Sequence, residues 1–352
     1  MNHPGFHRAV LAAACAAGLF AASAASAESV RMPSRWIGQV DPLAGRFGWP
    51  GSGFELRFDG TRVEVILDDP GDNSLLVEVD GQSRRLDLDP GRKTYVLAEG
   101  LPKGEHMVRA TRLTEGLFWH STLVVAKSDG PFLPGTGPER HILVIGDSIS
   151  TGSGVEGDSM DCPFTPETQN HALSYAAVAA KRFGAEVITL AATGKGLARN
   201  YDGTTDETMP KLMDRAVPTD AGVPVGPTAR TDADAVVVHL GTNDFSGGHR
   251  PERFQADFAA LLDRLRSRYP TAPIYLGIGP MLSGDDLAAA EDAVMAAADA
   301  RRADGDTAVR FLSFVISQES FGCGWHPNVG SQARMADILA EAIAADLGWT
   351  AE

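Results

Sequence analysis

Residues 141–148 of this 352-residue chain read HILVIGDS, an apolar run that ends in glycine, aspartate and serine. Such a run predicts a buried β-strand, and Gly146 with Asp147 predicts a turn directly after it. Strands that alternate with helices predict an α/β domain with a doubly wound parallel sheet. Further apolar runs follow at 186–190, 233–240, 273–278 and 309–315, and helical patterns cover 172–183, 251–268, 285–302 and 331–347.

The ends of two helical patterns carry the residues that prefer such positions. Pro251 opens one pattern, and Gly348 directly follows another. Proline is favoured in the first helical turn and glycine just past the last one. The α/β domain is therefore expected to extend over residues 141–352.

Residues 28–130 show a different pattern, with short β-type runs, frequent turn signals and no helical period. Evenly spaced runs of this kind predict an all-β antiparallel sandwich. A stretch rich in proline and glycine at 131–140 predicts a linker between the two domains. The β-type runs are 54–58, 63–67, 74–79, 94–97, 106–111 and 121–126.

Residues 1–27 have the features of a cleaved secretory signal. Arg8 precedes an Ala-rich apolar run, and residues 25–27 form a small-residue cleavage site. The run is too short to cross a membrane stably, so we expect a secreted or periplasmic mature chain without a membrane span. Cys15 raises the alternative of a lipoprotein, which the long apolar stretch after this cysteine disfavours.

Composition excludes some partners. The formal net charge of −15 and the pI near 5.0 argue against nucleic acid and anionic membrane surfaces. A hydrophobic content of 43% with 22% charged residues is typical of a soluble globular protein. The length is sufficient for two domains.

Two cysteines, Cys162 and Cys323, remain once the leader is removed. An even pair in an exported chain predicts a disulfide, and two buried free thiols are the alternative. Cys323 lies three residues before His326, so the bond would tether the loop that carries this histidine.

Four short patches in the α/β half supply together what an ester hydrolase needs. Ser148, Gly194 and Asn243 each follow a predicted strand, and the carboxyl ends of parallel strands meet at one edge of a sheet. A serine nucleophile needs a base, for which we assign His326, and the tetrahedral intermediate needs hydrogen-bond donors. Gly194 and Ser148 can offer backbone N–H groups, and Asn243 its side-chain amide. The patches are 146–148, 194–196, 241–244 and 325–327.

The other polar residues near these patches have structural interpretations. His239 lies inside an apolar run and is predicted to be a core histidine. Asp147 and Asp244 are expected to hold their turns, and Lys195 to be a solvated cation. Trp325 is either a platform that stacks on a sugar ring or a packing anchor for its loop. No cluster has metal-ligand spacing, so neither a metal nor another cofactor is expected.

The patches resemble the four sequence blocks of the SGNH (GDSL) hydrolase superfamily. Their particular residues are most similar to those of carbohydrate esterase family two. This resemblance implies a flavodoxin-like α/β domain and removal of acetyl groups from xylan and related plant polysaccharides. It also implies an N-terminal jelly-roll sandwich, which matches the β-rich segment 28–130 with its Trp49-Pro50-Gly51. It covers nearly the whole chain after the leader. The supporting segments are 146–150, 193–196, 208–210, 241–244 and 322–328.

One departure concerns the base. Most SGNH enzymes place an aspartate three residues before the catalytic histidine, and this chain has Cys323 there. A backbone carbonyl of the 323–325 loop could then orient His326, giving the Ser148–His326 dyad that the resemblance implies. A carboxylate from elsewhere in the fold is the alternative. The expectation is a metal-independent serine esterase that acts on an acetylated polysaccharide or oligosaccharide. The alternatives are an esterase for another acyl substrate, such as a lipid or envelope glycan, and a weakly catalytic carbohydrate-binding protein.

Overall fold

The computed structural model describes residue 1 and residues 29–224, 232–315 and 321–351. Apart from Met1, the predicted leader lies outside the described residues, as do its cleavage site and Cys15. No helix in the described part of the chain combines the length and the apolar character that membrane crossing requires.

The N-terminal part of the described chain is an antiparallel β-sandwich, as the sequence predicts. Val63, Val65 and Leu67 alternate with half-buried residues and bury their side chains between the two sheets. The strands are β1 (Ser29–Arg31), β2 (Arg35–Ile37), β3 (Val40–Asp41), β4 (Arg46–Phe47), β5 (Gly53–Gly60), β6 (Val63–Asp69), β7 (Ser74–Val79), β8 (Gln82–Asp87), β9 (Gly91–Ala98), β10 (Gly104–Arg112), β11 (Ser121–Ser128) and β12 (Phe132–Leu133).

The two sheets have the orders β3-β4-β11-β6-β9 and β12-β5-β10-β7-β8. β1 also pairs with β11, and β2 with β5. β12 lies in the segment that the sequence indicates as a linker, and it pairs with β5. This part of the segment therefore belongs to the sandwich.

The C-terminal part is a doubly wound α/β domain, which confirms the predicted fold class. Its parallel sheet has the order β14-β13-β15-β16-β17, the flavodoxin-like order. Elements are β13 (His141–Gly146), α1 (Ser148–Thr151), α2 (Tyr175–Arg182), β14 (Glu186–Ala191), α3 (Met209–Leu212), β15 (Ala235–His239), α4 (Thr242–Phe245), α5 (Phe254–Arg268), β16 (Ile274–Ile278), α6 (Gly284–Ala303), β17 (Val309–Ser313) and α7 (Val329–Leu347).

Successive residues of the central strands face opposite sides of this sheet. Val144 and Val237 pack against α2 and α7, whereas Leu143 and Val236 pack against α5 and α6. Both faces are thus covered, which is why these strands are apolar throughout rather than alternating.

Two helices start three residues later than predicted. α5 begins at Phe254, so Pro251 precedes the helix instead of opening it. The 172–183 pattern is interrupted because Ser174 caps a new helix by accepting a hydrogen bond from the Ala177 N–H at 3.4 Å. The predicted end at Gly348 is confirmed, with φ of 66° at this residue.

The sandwich packs directly on the α/β domain through residues 49–51. Trp49 is fully buried in the core of the α/β domain, and its indole N–H donates to the Arg215 carbonyl at 3.1 Å. A Cβ on Gly51 would overlap the His171 ring, so only glycine permits this approach. The two domains therefore share a packed boundary.

Candidate active site

The predicted site lies where two adjacent parallel strands end. α1 begins at Ser148 directly after β13, and α4 carries Asn243 directly after its neighbour β15. The strand order reverses direction at this pair, and ligands of doubly wound sheets bind at such a point. The Asn243 amide donates to the Lys195 carbonyl at 2.9 Å and to Asp147 at 3.4 Å. The structure thus brings the turns of Ser148, Gly194 and Asn243 together.

Asp147 holds the turn that presents Ser148. Its carboxyl group accepts the Ile149 N–H at 3.0 Å and caps α1. Burial raises the pKa of Asp147 to about 7, and the neighbouring Asp244 carboxyl acts in the same direction. The Ser148 side chain is itself nearly buried. The expectation that Asp147 has a structural role is confirmed.

The turn at Gly194 requires glycine for its backbone conformation rather than for space. Gly194 has φ of 74°, which L-residues with a Cβ rarely adopt. A Cβ built there would meet nothing closer than the Tyr201 Cβ at 3.8 Å. The Gly194 carbonyl accepts the Tyr201 N–H at 2.8 Å.

Asp244 stabilises the chain that follows this turn. Its carboxyl oxygens accept the backbone N–H groups of residues 197, 198 and 199 at 2.9, 2.7 and 2.9 Å. Because Asp244 is adjacent to Asn243, it fixes the Asn243 segment against the Gly194 turn. Its predicted structural role is confirmed.

His326 is oriented by a main-chain carbonyl. Its Nδ1 lies 3.2 Å from the Cys323 oxygen, and a carbonyl can only accept a hydrogen bond. Nδ1 therefore carries the proton in the neutral ring, and Nε2 keeps a free lone pair. Burial lowers the pKa of His326 to about 4, although the main chain at Cys323 and Gly324 acts in the opposite direction. The ring is therefore neutral at pH 7.

The loop that carries His326 is fastened to the segment after Ser148. The predicted disulfide Cys162–Cys323 is present. The Cys323 N–H donates to the Gly154 carbonyl at 3.1 Å, and the Gly324 N–H donates to the Cys162 carbonyl at 2.9 Å. Within the described residues, no direct hydrogen bond joins the Ser148 hydroxyl to the His326 ring. Their supporting segments are joined instead.

Aromatic side chains surround the His326 loop. The Phe164 ring lies 6.3 Å from the His326 ring, and Phe118 of the sandwich stacks on Phe164 at 5.6 Å. Trp325 is 51% exposed, and Trp119, next to Phe118, is 54% exposed. Sequence reasoning found only Trp325, because the other rings reach this region through tertiary packing and carry no local signal.

His239 is a core residue, as predicted. Its Nε2–H donates to the Gly279 carbonyl at 2.7 Å, and its Nδ1 accepts from the Tyr175 hydroxyl at 3.2 Å. Burial lowers the pKa of His239 to about 4. Among the described residues, no group of three or more His, Cys, Asp and Glu side chains has an arrangement suited to a metal ion.

Comparison with known proteins identifies the family. The model described as "Carbohydrate esterase 2 N-terminal" matches residues 36–134, and that described as "GDSL-like Lipase/Acylhydrolase family" matches residues 144–341. The structure is similar to a family two carbohydrate esterase from Clostridium thermocellum in complex with cellohexaose. The TM-score is 0.84 at 30% identity, covering 91% of this chain and 100% of that one. The chain belongs to carbohydrate esterase family two.

The chain is also similar to proteins that are named as esterases. It is 33% identical over 319 residues to "Cellulase/esterase CelE" of Acetivibrio thermocellus, which covers 88% of this chain and 38% of CelE. The chain thus spans well under half of that relative. It is 27% identical over 315 residues to an "Acetylxylan esterase / glucomannan deacetylase" of Cellvibrio japonicus, with 85% of each covered. The predicted family resemblance is confirmed.

Proposed function

We propose that this family two esterase removes acetyl groups from plant-type polysaccharides such as xylan or glucomannan, using a Ser148–His326 dyad. The observation that carries the proposal is the hydrogen bond from His326 Nδ1 to the Cys323 carbonyl. This bond selects the tautomer in which Nε2 can accept a proton, and the burial of the ring keeps it uncharged.

In the proposed mechanism, the Ser148 hydroxyl attacks the acetyl carbonyl while His326 Nε2 takes its proton. The intermediate carries a negative oxygen, which accepts hydrogen bonds from the Gly194 N–H, the Asn243 amide and the Ser148 N–H. His326 then protonates the departing sugar oxygen. Water attacks the acetyl-serine with His326 again as base, and acetate leaves.

Asn243 has one amide hydrogen suited to this role. The bond to the Lys195 carbonyl at 2.9 Å uses one hydrogen of the amide nitrogen. The second faces Asp147 at 3.4 Å, which is a long and therefore weak interaction. This second hydrogen is the one we assign to the oxyanion. In free enzymes, catalytic hydrogen bonds are often long and tighten only when substrate binds.

Three observations support an acetylated glycan as the substrate. Trp325 is half-exposed beside the nearly buried His326, so its indole face can stack on a sugar ring. A similar structure binds cellohexaose, and a relative is named acetylxylan esterase / glucomannan deacetylase. Export is also part of the proposal, supported by the features of residues 1–27 and by the Cys162–Cys323 disulfide, since such bonds persist in oxidising compartments.

Acetate release from acetylated xylan, acetylated glucomannan and acetylated peptidoglycan tests the proposal. We expect Ser148→Ala to lose about 10³-fold or more in kcat, because no other group replaces the nucleophile. Ser150→Ala is the matched control: this serine is also buried in α1, and among the described residues its hydroxyl forms a hydrogen bond with Tyr175 at 3.3 Å. Undiminished turnover by Ser148→Ala would reject the mechanism.

Two further assays distinguish the rival functions: hydrolysis of esters with longer acyl chains, and labelling by a fluorophosphonate. A preference for long acyl chains over acetate would indicate an esterase for lipids or related esters. A fluorophosphonate reacts covalently with an activated serine. A wild-type chain that binds glycan but leaves Ser148 unlabelled would be a carbohydrate-binding protein.

A further inference from the structure

Glu115 reaches from the sandwich into the α/β domain and contacts the turn that holds Gly194. The residue is fully buried in the segment after β10. One carboxyl oxygen accepts the Thr193 N–H at 2.7 Å, and the other forms a hydrogen bond with the Thr193 hydroxyl. The Glu115 N–H donates to the Gln169 side chain at 3.1 Å. Glu115 is thus bonded to the residue directly before the proposed oxyanion donor.

A chain of hydroxyl groups continues from Thr193 to the nucleophile. The Thr193 hydroxyl lies 2.9 Å from the Ser153 hydroxyl, which lies 2.7 Å from the Thr151 hydroxyl. The Thr151 hydroxyl donates to the Ser148 carbonyl at 2.9 Å. The chain therefore joins a carboxyl group of the sandwich to the backbone of the proposed nucleophile.

The hydrogens of this chain can be counted. Four oxygen–oxygen contacts run from Glu115 to the Ser148 carbonyl, but Thr193, Ser153 and Thr151 supply only one hydroxyl hydrogen each. With Glu115 ionised, one contact lacks a hydrogen. With Glu115 protonated, its O–H donates to Thr193 and every contact holds one hydrogen, each hydroxyl donating toward Ser148. The other carboxyl oxygen still accepts the Thr193 N–H.

We propose that Glu115 is a positioning residue for the oxyanion turn, and that it acts with its carboxyl group protonated, as the outer end of a hydrogen-bond chain to the Ser148 carbonyl. This inference rests on the proposed function, because it assigns Gly194 and Ser148 the roles given above. In this proposal, the sandwich helps to align the N–H groups of Gly194 and Ser148, the oxyanion donors near the two ends of the hydrogen-bond chain.

The surroundings of Glu115 favour the protonated form. Burial raises the pKa of Glu115 to about 7, against the effect of its bonds to Thr193. The one cation that faces Glu115 among the described residues is Arg112, which donates to the Glu115 main-chain carbonyl at 3.0 Å. The Arg112 guanidinium also donates hydrogen bonds to the side chains of Asn73 and Ser121, so Glu115 is not its sole partner among the described residues.

Glu115→Gln and Glu115→Ala form the decisive pair of variants. The glutamine amide donates to Thr193 permanently and its oxygen accepts the Thr193 N–H, so we expect nearly wild-type kcat. The alanine variant leaves the turn unsupported, and we expect kcat to fall by about tenfold or more with little change in KM, since misplaced catalytic groups lose rate. Glu55→Ala is the matched control: this glutamate is also buried and bonds to Arg35 and Thr136. Among the described residues it has no hydrogen bond to the hydroxyl chain from Thr193 to Thr151, so kcat should stay unchanged.

The pH profile tests the proton itself. Wild-type kcat on p-nitrophenyl acetate should fall as pH rises through about 7, because deprotonation of Glu115 breaks one link, whereas Glu115→Gln should lose this fall. Burial also raises the pKa of Asp147 to about 7. Asp147 is present in both proteins, so the difference between their profiles reports Glu115 alone.

The outcomes separate the two proposals. If Ser148→Ala abolishes activity while Glu115→Ala retains full kcat, or if the two pH profiles coincide, the role of Glu115 is overturned and the esterase function stands. If the wild type neither hydrolyses acetyl esters nor reacts with a fluorophosphonate, the proposed function fails. If it reacts with the fluorophosphonate without hydrolysing acetyl esters, the labelling rate of the same variants decides the role of Glu115.

Discussion

His326 has a weak hydrogen-bond partner at Nδ1, and burial of the ring lowers its pKa. A carboxylate beside Nδ1 would stabilise the imidazolium and raise the pKa of the ring. The Cys323 carbonyl fixes the ring through the same nitrogen but carries no full charge. The proposed base is therefore less strong than in a triad, and it stays unprotonated further into acid.

The acid limit of activity should reflect this property. As pH falls, His326 gains a proton and can no longer accept the Ser148 proton, so kcat/KM declines through the pKa of the ring. With this pKa lowered to about 4, we expect the decline to centre between about pH 4 and 5. Hydrolysis of a soluble acetyl ester across this range measures it, with circular dichroism as the control for folding. A decline centred at the ordinary histidine value near 6.5 would contradict the low pKa.

Single residues were predictable where the chemistry requires one residue type. Ser148, Asn243 and His326 could be chosen from the sequence because few side chains can attack, donate to an oxyanion or act as base. Gly194 was chosen for the backbone N–H that it can offer, and the structure adds that its positive φ favours glycine at this position. Glu115 carries no such signal, because its contact with Thr193 exists only in the folded chain.

At the scale of elements, the 323–326 loop depends on the disulfide for its position. Cys323 contributes both the sulfur bonded to Cys162 and the carbonyl that orients His326. Gly324 and Trp325 both have positive φ, of 61° and 63°, which other residues rarely adopt in succession. The disulfide to Cys162 and the backbone hydrogen bonds to Gly154 and Cys162 hold the loop in this conformation.

Breaking this bond should reduce both stability and activity. We expect Cys162→Ser to lower the free energy of unfolding by about 2–4 kcal/mol, the usual range for a native disulfide. It should also lower kcat well below the unfolding temperature, because the Cys323 carbonyl is then held less firmly against His326. Urea unfolding and acetyl-ester hydrolysis measure the two effects.

The reductant control separates these effects from the substitution itself. A reducing agent should produce the same losses in the wild type and none in Cys162→Ser, which already lacks the bond. Lower stability with unchanged kcat would show that the disulfide stabilises the fold without positioning His326.

Elements were predictable to the extent that one local pattern decides them. The five strands of the α/β sheet were found because both faces are covered, which gives continuous apolar runs. β8 was missed because its residues, Gln82–Asp87, lie at the edge of their sheet and are mostly polar and exposed. The break before Ser174 was missed because Gln332 of α7 accepts the Tyr175 N–H at 2.7 Å, a tertiary contact.

For the whole molecule, the two domains were predictable but their junction was not. The change in hydrophobic pattern near residue 131 separates sandwich from α/β domain without the structure. Nothing local indicates that Trp49 belongs to the core of the other domain, or that Arg35 bridges Glu55 and Glu186 across the boundary. The Arg35–Glu186 and Trp49–Arg215 hydrogen bonds join residues 151 and 166 positions apart.

The junction leads to a prediction about cooperativity. Because Trp49 fills the core of the α/β domain and Arg35 pairs with Glu186 at 2.7 Å, neither domain can unfold without exposing a surface of the other. We expect one calorimetric transition for both domains.

Trp49→Ala should lower the free energy of unfolding by about 3–5 kcal/mol, the usual cost of removing a buried tryptophan. Trp119→Ala, which removes a half-exposed tryptophan of the same domain, should change it by only about 0.5 kcal/mol. Two separate transitions in the wild type, or equal effects of the two substitutions, would mean that the domains are stable independently and that the sandwich does not support the α/β core.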